Sequence, residues 1–468
     1  MELYNTLIKQ KEVFEPITAG QVKMYTCGPT VYDYVHIGNL RSYVMADTLR
    51  RALESDGLAV EHVKNITDVG HLTADDLGQG DSGEDKLVRK ATKEGRTPEE
   101  IARFYTDYYH ATEAKLNIKQ AHQEPRATDY VAQMIEFIQG LIEKGFAYEK
   151  NGNVFFDVTQ FKRYGALSGN TLEKLKVGAR LEEHPDKKNP WDFALWLKSP
   201  EGHLMRWDSP WSTGYPGWHI ECSAMNLATL GPTIDIHTGG EDNIFPHHEA
   251  EIAQSECGND APFVRYWVHT RHLLVNGEKM SKSKGNFYRL EDIEERGYSA
   301  MDLRLLCLSA HYRSQMNFTW EALAQAKVNR VTLMNTYARL QSVKEPLVGT
   351  SSEEIKNFKS AFENDLNTPL ALSILLRYAS NINKAIDKKE YQRLSKSDRG
   401  DLSVMLFNYF GLREETIEIP EEITKLLEER KNARVNKDFK ESDILRDAIL
   451  ALGYIVEDGP NGQTVRKK

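Results

Sequence analysis

Residues 23–27 (KMYTC) form a short apolar run rich in β-forming side chains, and it leads into a Gly28-Pro29-Thr30 turn. Helical periodicity then extends from about Asn39 to Asp56 and stops at Gly57, and a second strand-like run follows at residues 60–66 (VEHVKNI). Strand, helix and strand in this order make a β-α-β unit, the building block of a parallel sheet whose ligands sit beyond the carboxyl ends of its strands; Thr67-Asp68 lies at such an end. From about residue 84 to 230 the pattern reads as an insertion, with amphipathic helices near 97–118 and 129–145 and a hairpin, FAYEKNGNVFF, turning at Asn151-Gly152. Sheet character returns at residues 233–237 (TIDIH), which run into Gly239-Gly240. Pro246 stands where a new helix begins, carrying His247 to about Glu256. A second Asn-Gly hairpin, LLVNGEKM, introduces KMSKSKGN at 279–286. Beyond Ser299 the periodicity is helical, with segments near 299–312, 320–343, 352–364, 368–386, 390–410, 420–434 and 440–452, and the final GYIVEDGPNGQTVRKK predicts a small hairpin. These breaks predict an α/β domain in two halves, 1–83 and 231–298, an insertion over 84–230, a helical domain over 299–410 and a small C-terminal domain over 411–468.

Composition narrows the class. With 40% hydrophobic and 28% charged residues the chain is neither a disordered tail nor a membrane protein, and no apolar run approaches the roughly 18 residues that span a bilayer. The opening MELYNTLIKQKEVFEP has no apolar h-region or small-residue cleavage site, so a cytoplasmic protein is expected. Four cysteines, Cys27, Cys222, Cys257 and Cys307, are too few for a disulfide scaffold in a chain this long. The net charge of −9 argues mildly against a general nucleic-acid coat, so any basic surface must be local.

Three segments carry candidate chemistry. Residues 30–39 (TVYDYVHIGN) put His36, Gly38 and Asn39 at a helix N-terminus, where backbone N–H groups and the positive end of the dipole favour phosphate. Gly38 lets a nucleotide approach closely and His36 can hydrogen-bond charge developing on a triphosphate, although an ordinary His-Gly turn has the same pattern. KMSKS at 279–283, followed by Lys284-Gly285-Asn286, sets three lysines in a short loop, where Lys279 and Lys282 can close on a leaving pyrophosphate; a solvated lysine-rich turn reads the same way. Cys27, Cys222, His247 and Glu251 form the third set. His247 and Glu251 are four residues apart on one helix face, and two thiolates can complete a tetrahedral zinc site. His248 and Glu249 are rivals for the same role, and buried cysteines are commonly packing residues, so spacing leaves the ligand set open. Trp218, in GWHIEC at 217–222, is either core or the wall of a small amino-acid pocket.

In this order the segments resemble class I aminoacyl-tRNA synthetases. The stretches MYTCGPTVYDYVHIGN, NITDVGH, NPWDFALW, GYPGWHIECSAMN, DIHTGGEDNIFPHHEAEIAQS and KMSKSKGN are similar to blocks of the cysteinyl-tRNA synthetase family, and the likeness runs to the last residues. The resemblance implies an α/β fold: a Rossmann-like parallel-sheet catalytic domain with an inserted connective domain for the acceptor end, followed by C-terminal α-helical bundle domains that contact the tRNA stem and anticodon. It implies a cysteine–tRNA ligase that activates L-cysteine with Mg²⁺-bound ATP to cysteinyl-adenylate and transfers it to tRNA(Cys). It makes Cys27, Cys222, His247 and Glu251 the ligands of one Zn²⁺ and decides against His248. Cys27, Thr67 and Trp218 then surround the substrate cysteine. His36, Gly38, Asn39, Lys279 and Lys282 go to ATP, with Gly240 and Asp242 of TGGED (238–242) under the adenylate, and His36, Asn39, Lys279 and Lys282 are the catalytic groups. The family's HIGH motif reads HIGN here, so the division of labour between His36 and Asn39 differs. Arg434, Phe439 and Asp443 match positions that stack on or hydrogen-bond anticodon bases. Zinc suits the task because serine differs from cysteine by one atom, and a borderline-soft metal prefers a thiolate to a hydroxyl where size selection yields only about 1–3 kcal/mol. Cys257 and Cys307 need no role beyond packing, and a monomer is expected.

Two further readings use the same core. A cysteine ligase of thiol-cofactor biosynthesis does not need the roughly 180 residues that follow KMSKS, and a non-catalytic RNA-binding or cysteine-sensing paralogue does not need HIGN, KMSKS and all four candidate ligands intact.

Overall fold

The computed structural model describes residues 1–70, 72, 85–171, 173, 184–281, 284–350, 353–413, 420–459 and 462–467. It forms two compact units, Met1–Leu412 and Arg413–Lys468.

In the first unit a hairpin, β1 (Glu2–Asn5) and β2 (Gln10–Val13), precedes β3 (Gln21–Thr26), α1 (Ile37–Ser55) and β4 (Ala59–Lys64). The β-α-β unit closes as the pattern predicts, with β3 and β4 parallel and Gln21 opposite Ala59 through Thr26 opposite Lys64. The chain then forms α2 (Lys86–Glu94), α3 (Pro98–Lys115), α4 (Val131–Glu143) and five strands: β5 (Ala147–Lys150), β6 (Asn153–Phe156), β7 (Phe193–Lys198), β8 (Trp207–Asp208) and β9 (Thr213–Pro216). These pair antiparallel in the order β5-β6-β7-β9-β8, joined at the predicted Asn151-Gly152 turn, where both residues have positive φ.

Helix α5 (Trp218–Leu230) carries the chain back into β10 (Ile234–Gly240), α6 (Glu249–Asn259) and β11 (Val264–Thr270). The last two strands complete a four-stranded parallel sheet, β11-β10-β3-β4. Six of the seven β10 residues are buried, as a parallel strand covered on both faces should be. A hairpin of β12 (Leu273–Val275) and β13 (Glu278–Lys279) turns at Asn276-Gly277, again at positive φ, ahead of α7 (Leu290–Glu294). Helices α8 (Ala300–Leu308), α9 (Trp320–Ser342), α10 (Glu354–Glu363) and α11 (Thr368–Asp387) then pack as a bundle, with β14 (Met316–Phe318) between the first two joining the β12–β13 hairpin. Cys257 and Cys307 are both buried.

Some local expectations change. The N-terminal hairpin and β7 had no counterpart in the periodicity, because four polar-rich residues and a continuous apolar run (FALWLK) do not alternate. Pro246 opens the helical run as expected: Phe245 before it is extended (φ −142°, ψ 131°), and the helical backbone from Pro246 continues into α6. The segment 390–410 is not one helix. Ser395 N–H donates to Asp398 Oδ2 (2.9 Å), and this local turn competes with helix until α12 (Asp398–Ser403).

The second unit is α13 (Glu421–Val435), α14 (Phe439–Ala451) and the hairpin β15 (Tyr454–Gly459) and β16 (Gly462–Lys467), around Ile423, Ile449, Tyr454 and Val456. Buried Arg430 ties helix to hairpin through Asp458 (2.9 Å) and Gln463 (2.8 Å). Among the described residues no helix is long and apolar enough to cross a membrane.

Candidate active site

The carboxyl ends of the parallel strands meet at one place, as the topology of such sheets requires. Cys27 follows β3, Thr67 follows β4, Gly239-Gly240 end β10 and His269-Thr270 end β11. The approach is tight: Gly28 N–H donates to Asn65 Oδ1 (2.8 Å), and a Cβ on Gly28 would overlap the Asn65 carbonyl oxygen. Helix α5 brings Cys222 and α6 brings Glu251 to the same point.

Cys27, Cys222, His247 and Glu251 offer donor atoms that all lie within 4.8 Å of one another. His247 Nε2 is 3.5 Å from Cys222 Sγ and 3.0 Å from Glu251 Oε1, and Cys27 Sγ is 3.8 Å from the same carboxylate oxygen. Donors about 2.0–2.3 Å from a tetrahedral zinc ion lie about 3.3–3.8 Å apart, so these three separations are close to what that ion needs. Trp218 stacks on His247 (4.2 Å between centroids), while His219 Nδ1 meets His247 Nδ1 at 2.9 Å; both leave Nε2 facing the other donors. A second set, Cys27, His237, His248 and Glu251, satisfies the same distance limit. In it His248 Nε2 lies 3.1 Å from Cys27 Sγ and His237 Nε2 lies 3.0 Å from Glu251 Oε2. His248 Nδ1 is in turn held by His269 (2.7 Å), whose other nitrogen meets Thr6 Oγ1 (2.8 Å).

Charge in this buried cluster is strongly redistributed. Burial alone would raise Glu251, but His237 and His247 hold it down to about 2. Burial opposes ionisation of His247 too, yet Glu251 and Cys222 carry it up to about 10. A hydrogen bond with Cys27 brings the Cys222 thiol down to about 6 against its burial. His219 stands out in the sequence beside Trp218, three residues before Cys222, whereas His237 and His269 had no spacing signal, since they lie on separate strands. Glu221 was also missed. It is fully buried behind Thr67, and burial first, then Cys222 and Asp68, push its carboxyl well above the ordinary range.

On the nucleotide side, His36 is the N-cap of α1. Its Nδ1 accepts from Gly38 N (3.1 Å) and Asn39 N (3.2 Å), and Asn39 Oδ1 accepts from His36 N (3.2 Å), a reciprocal capping box. Ile37 N–H donates to Tyr288 O (3.0 Å) and Leu40 N–H to His36 O (3.1 Å), so the first-turn N–H groups already have partners and side chains must supply much of the anion recognition. Asn39→Ala removes half of this box and is expected to destabilise the fold by about 1 kcal/mol in a denaturant titration. Met280 covers Gly38, where a Cβ would come within 2.6 Å of its methyl, and Phe287 meets the His36 ring edge-on at 5.0 Å. Lys279 Nζ lies 3.6 Å from Asp242 Oδ1, and His272 Nδ1 is 3.1 Å from Asp242 Oδ2. Gly240 N–H donates to Asn243. Lys282 lies outside the described residues.

Arg434, Phe439 and Asp443 belong to the second unit. Arg434 pairs with Asp458 (2.7 Å), Phe439 is 63% exposed at the start of α14, and Asp443 is exposed one turn further on.

A model of the class I (C) tRNA synthetase catalytic domain matches residues 13–328, a DALR domain model matches 357–412, and a cysteinyl-tRNA ligase anticodon binding domain model matches 416–466. The cysteine–tRNA ligase of Treponema denticola is 43% identical over an alignment of 496 positions that covers 100% of this chain and 99% of that one. That of Thermus thermophilus is also 43% identical, covering 98% of both chains. Among solved structures, Mycobacterium tuberculosis methionyl-tRNA synthetase bound by methionyl-adenylate superposes with a TM-score of 0.59 over 83% of this chain and 89% of that one; at 14% identity it shares the fold. Full-length identity of this order, on a class I fold that ends in a matching anticodon-binding domain, means that the chain belongs to the cysteine–tRNA ligase family of class I aminoacyl-tRNA synthetases.

Proposed function

We propose that this ligase recognises the thiol of its substrate through Zn²⁺ held by Cys27, Cys222, His247 and Glu251, and that ATP binds between the HIGN turn and the KMSKS loop. The observation that carries this is the convergence of two sulfurs, an imidazole and a carboxylate at tetrahedral spacing beside Thr67 and Trp218. Bound zinc would supply a borderline-soft Lewis acid that lowers a thiol's pKa and prefers it to a serine hydroxyl. The first donor set is favoured over the one with His237 and His248 because its two sulfurs suit zinc better.

The chain's own side chains do the remaining work. Thr67, with its hydroxyl accepting from Asn65 Nδ2 (3.0 Å), and the Trp218 ring bound the pocket for the amino acid. Because His36 Nδ1 accepts two N–H groups, its neutral ring carries the proton on Nε2, where it can donate to a phosphate oxygen; Asn39 fixes that orientation rather than duplicating it. Lys279, resting on Asp242, would move to the pyrophosphate as charge develops there, with Lys282 beside it, while Gly240 and Asp242 floor the adenylate. Mg²⁺ accompanies the ATP. Lys279→Ala is expected to lower the rate of cysteine-dependent ATP–pyrophosphate exchange by about 10²–10³-fold, the usual loss for one donor aimed at a developing anion.

By the same reading 1–83 with 231–298 forms the catalytic domain, 84–230 receives the acceptor end, 299–410 contacts the tRNA stem, and 411–468 reads the anticodon of tRNA(Cys) with Arg434, Phe439 and Asp443. The enzyme would act as a cytoplasmic monomer. Exchange of labelled pyrophosphate driven by cysteine, serine or no amino acid, before and after zinc is stripped and restored, tests the proposal. Exchange with cysteine alone that vanishes without zinc supports it, and exchange indifferent to zinc overturns the metal assignment.

A further inference from the structure

Arg41 lies on the second turn of α1, five residues after His36, and is fully buried. Its two terminal nitrogens donate to four backbone carbonyls: Nη1 to Arg271 (2.7 Å) and His272 (2.9 Å), and Nη2 to His311 (3.1 Å) and Ser314 (2.7 Å). Among the described residues it makes no ion pair, so the fixed fork of its donors, rather than a countercharge, decides what it holds together. Those carbonyls are the roots of one small sheet. Arg271 and His272 lead directly into β12, while His311 and Ser314 precede β14, which runs parallel to β12 with Leu273 opposite Met316 and Val275 opposite Phe318. The two roots are also tied to each other, since Arg271 N–H donates to Tyr312 O (2.8 Å) and Met316 N–H to His272 O (3.2 Å).

On its other edge β12 pairs with β13, which puts Lys279 opposite Leu274, two residues from a carbonyl that Arg41 holds. Met280, the next residue, lies against Gly38. Further along, the chain returns to the same helix, where Tyr288 O accepts from Ile37 N–H (3.0 Å). The segment 273–288 is therefore fastened to α1 at both ends, and α1 also carries His36 as its N-cap. From the far side the 311–314 turn is held by Asp365, which accepts from Tyr312 Oη and Arg313 Nε, so the turn does not depend on Arg41 alone to stay folded. Arg41 meets the roots of both strands that support the hairpin and none of the residues that offer zinc donors. Resting on the reading that Lys279 meets the pyrophosphate, we infer that Arg41 is a positioning residue for adenylate formation: by fixing the root of the β12–β13 hairpin on α1, it sets the separation between His36 and Lys279.

Arg41→Lys keeps the charge but replaces the rigid fork by one ammonium, which cannot hold both strand roots in the same geometry. In the full-length protein this variant should carry out cysteine-dependent ATP–pyrophosphate exchange about 10–100-fold more slowly at saturating substrates, since a misplacement of about 1 Å can cost roughly 10²-fold. The KM for cysteine should stay within about twofold of wild type, because no zinc donor touches Arg41. A double-mutant cycle with Lys279→Ala separates positioning from stability. If Arg41 acts through the placement of Lys279, adding Arg41→Lys to Lys279→Ala should cost no more than about threefold further. A change that only unfolds part of the sample would instead lower the rate by the same factor in either background. Equal losses in both backgrounds, or a wild-type rate in Arg41→Lys alone, would overturn the inference. Arg41→Gln takes its place in the cycle if the lysine variant melts below the assay temperature. Exchange at the wild-type rate in Lys279→Ala would strike the KMSKS reading and this inference with it, whereas a crippled Lys279→Ala combined with equal losses from Arg41→Lys would strike only the positioning role.

Discussion

A Cys222→Ala variant is expected to purify with little or no zinc and to lose cysteine-dependent pyrophosphate exchange by more than a hundredfold, while His248→Ala keeps its metal. Outer partners of a metal site typically contribute about 10–100-fold to affinity, and a directly donating sulfur contributes more. Cys222 is the donor that separates the two overlapping sets: it belongs to the one with His247 and is missing from the one with His237 and His248. It is also the thiol most ready to bind, since Cys27 and His247 bring it down to about 6. Metal analysis of the two variants, each with exchange rates for cysteine and serine, decides the matter. If Cys222→Ala retains one zinc per chain and His248→Ala loses it, the ligand assignment is wrong. Discrimination between cysteine and serine should fall in stripped wild-type enzyme toward the roughly 10–200-fold that shape alone provides.

The second large effect is on stability. Asp47 on α1 is 2% exposed and accepts from Arg51 Nε (2.7 Å) on the same helix and from Arg304 on α8. Fully buried Arg304 also donates to the carbonyls of Phe410 (2.6 Å) and Leu116 (2.9 Å), so one guanidinium joins the helix of the β-α-β unit, the end of α3 and the far end of the bundle. Asp47→Ala would leave two buried guanidinium groups facing each other, and about 3–5 kcal/mol of stability should be lost in denaturant unfolding. Replacing Asp47 by Leu together with both Arg51 and Arg304 by Met should recover much of that, because the cost lies in the unpaired charges. A destabilisation below about 1 kcal/mol for Asp47→Ala would refute this role. The pH dependence has a defined sign. Burial would raise the Asp47 carboxyl, but Arg304 and Arg51 lower it below its ordinary value. Its contribution is therefore complete above about pH 4–5, the range in which an unfolded Asp is ionised, and is lost as pH falls through the depressed folded value. Wild type should lose more stability than Asp47→Ala between pH 5 and lower pH.

Local pattern determined a good deal. The run at 23–27, the helix from Asn39, the two Asn-Gly hairpins and most of the C-terminal helices follow from period-2 and period-3.6 alternation and from turn residues that tolerate positive φ, all of which act over a few neighbours. Motif order was likewise legible, because HIGN, TGGED and KMSKS each sit at a strand end or loop that the pattern itself locates. Where local chemistry competes with periodicity, at the Ser395–Asp398 turn, the pattern misplaced a helix boundary. Which side chains meet was decided by the tertiary structure. Cys27 and Cys222 come together because β10 inserts beside β3 and α5 crosses back behind them, and no spacing rule joins residues so far apart in the chain. The same crossing gathers His219, His237 and His269 around the donors and seals Glu221 behind Thr67. The His36 ring and the Tyr288 carbonyl leave the backbone N–H groups of the HIGN turn already bonded. Periodicity records only which face of an element is apolar, whereas donor geometry and shifted pKa values arise from elements that dock at long range, where burial removes water and brings distant charges into contact.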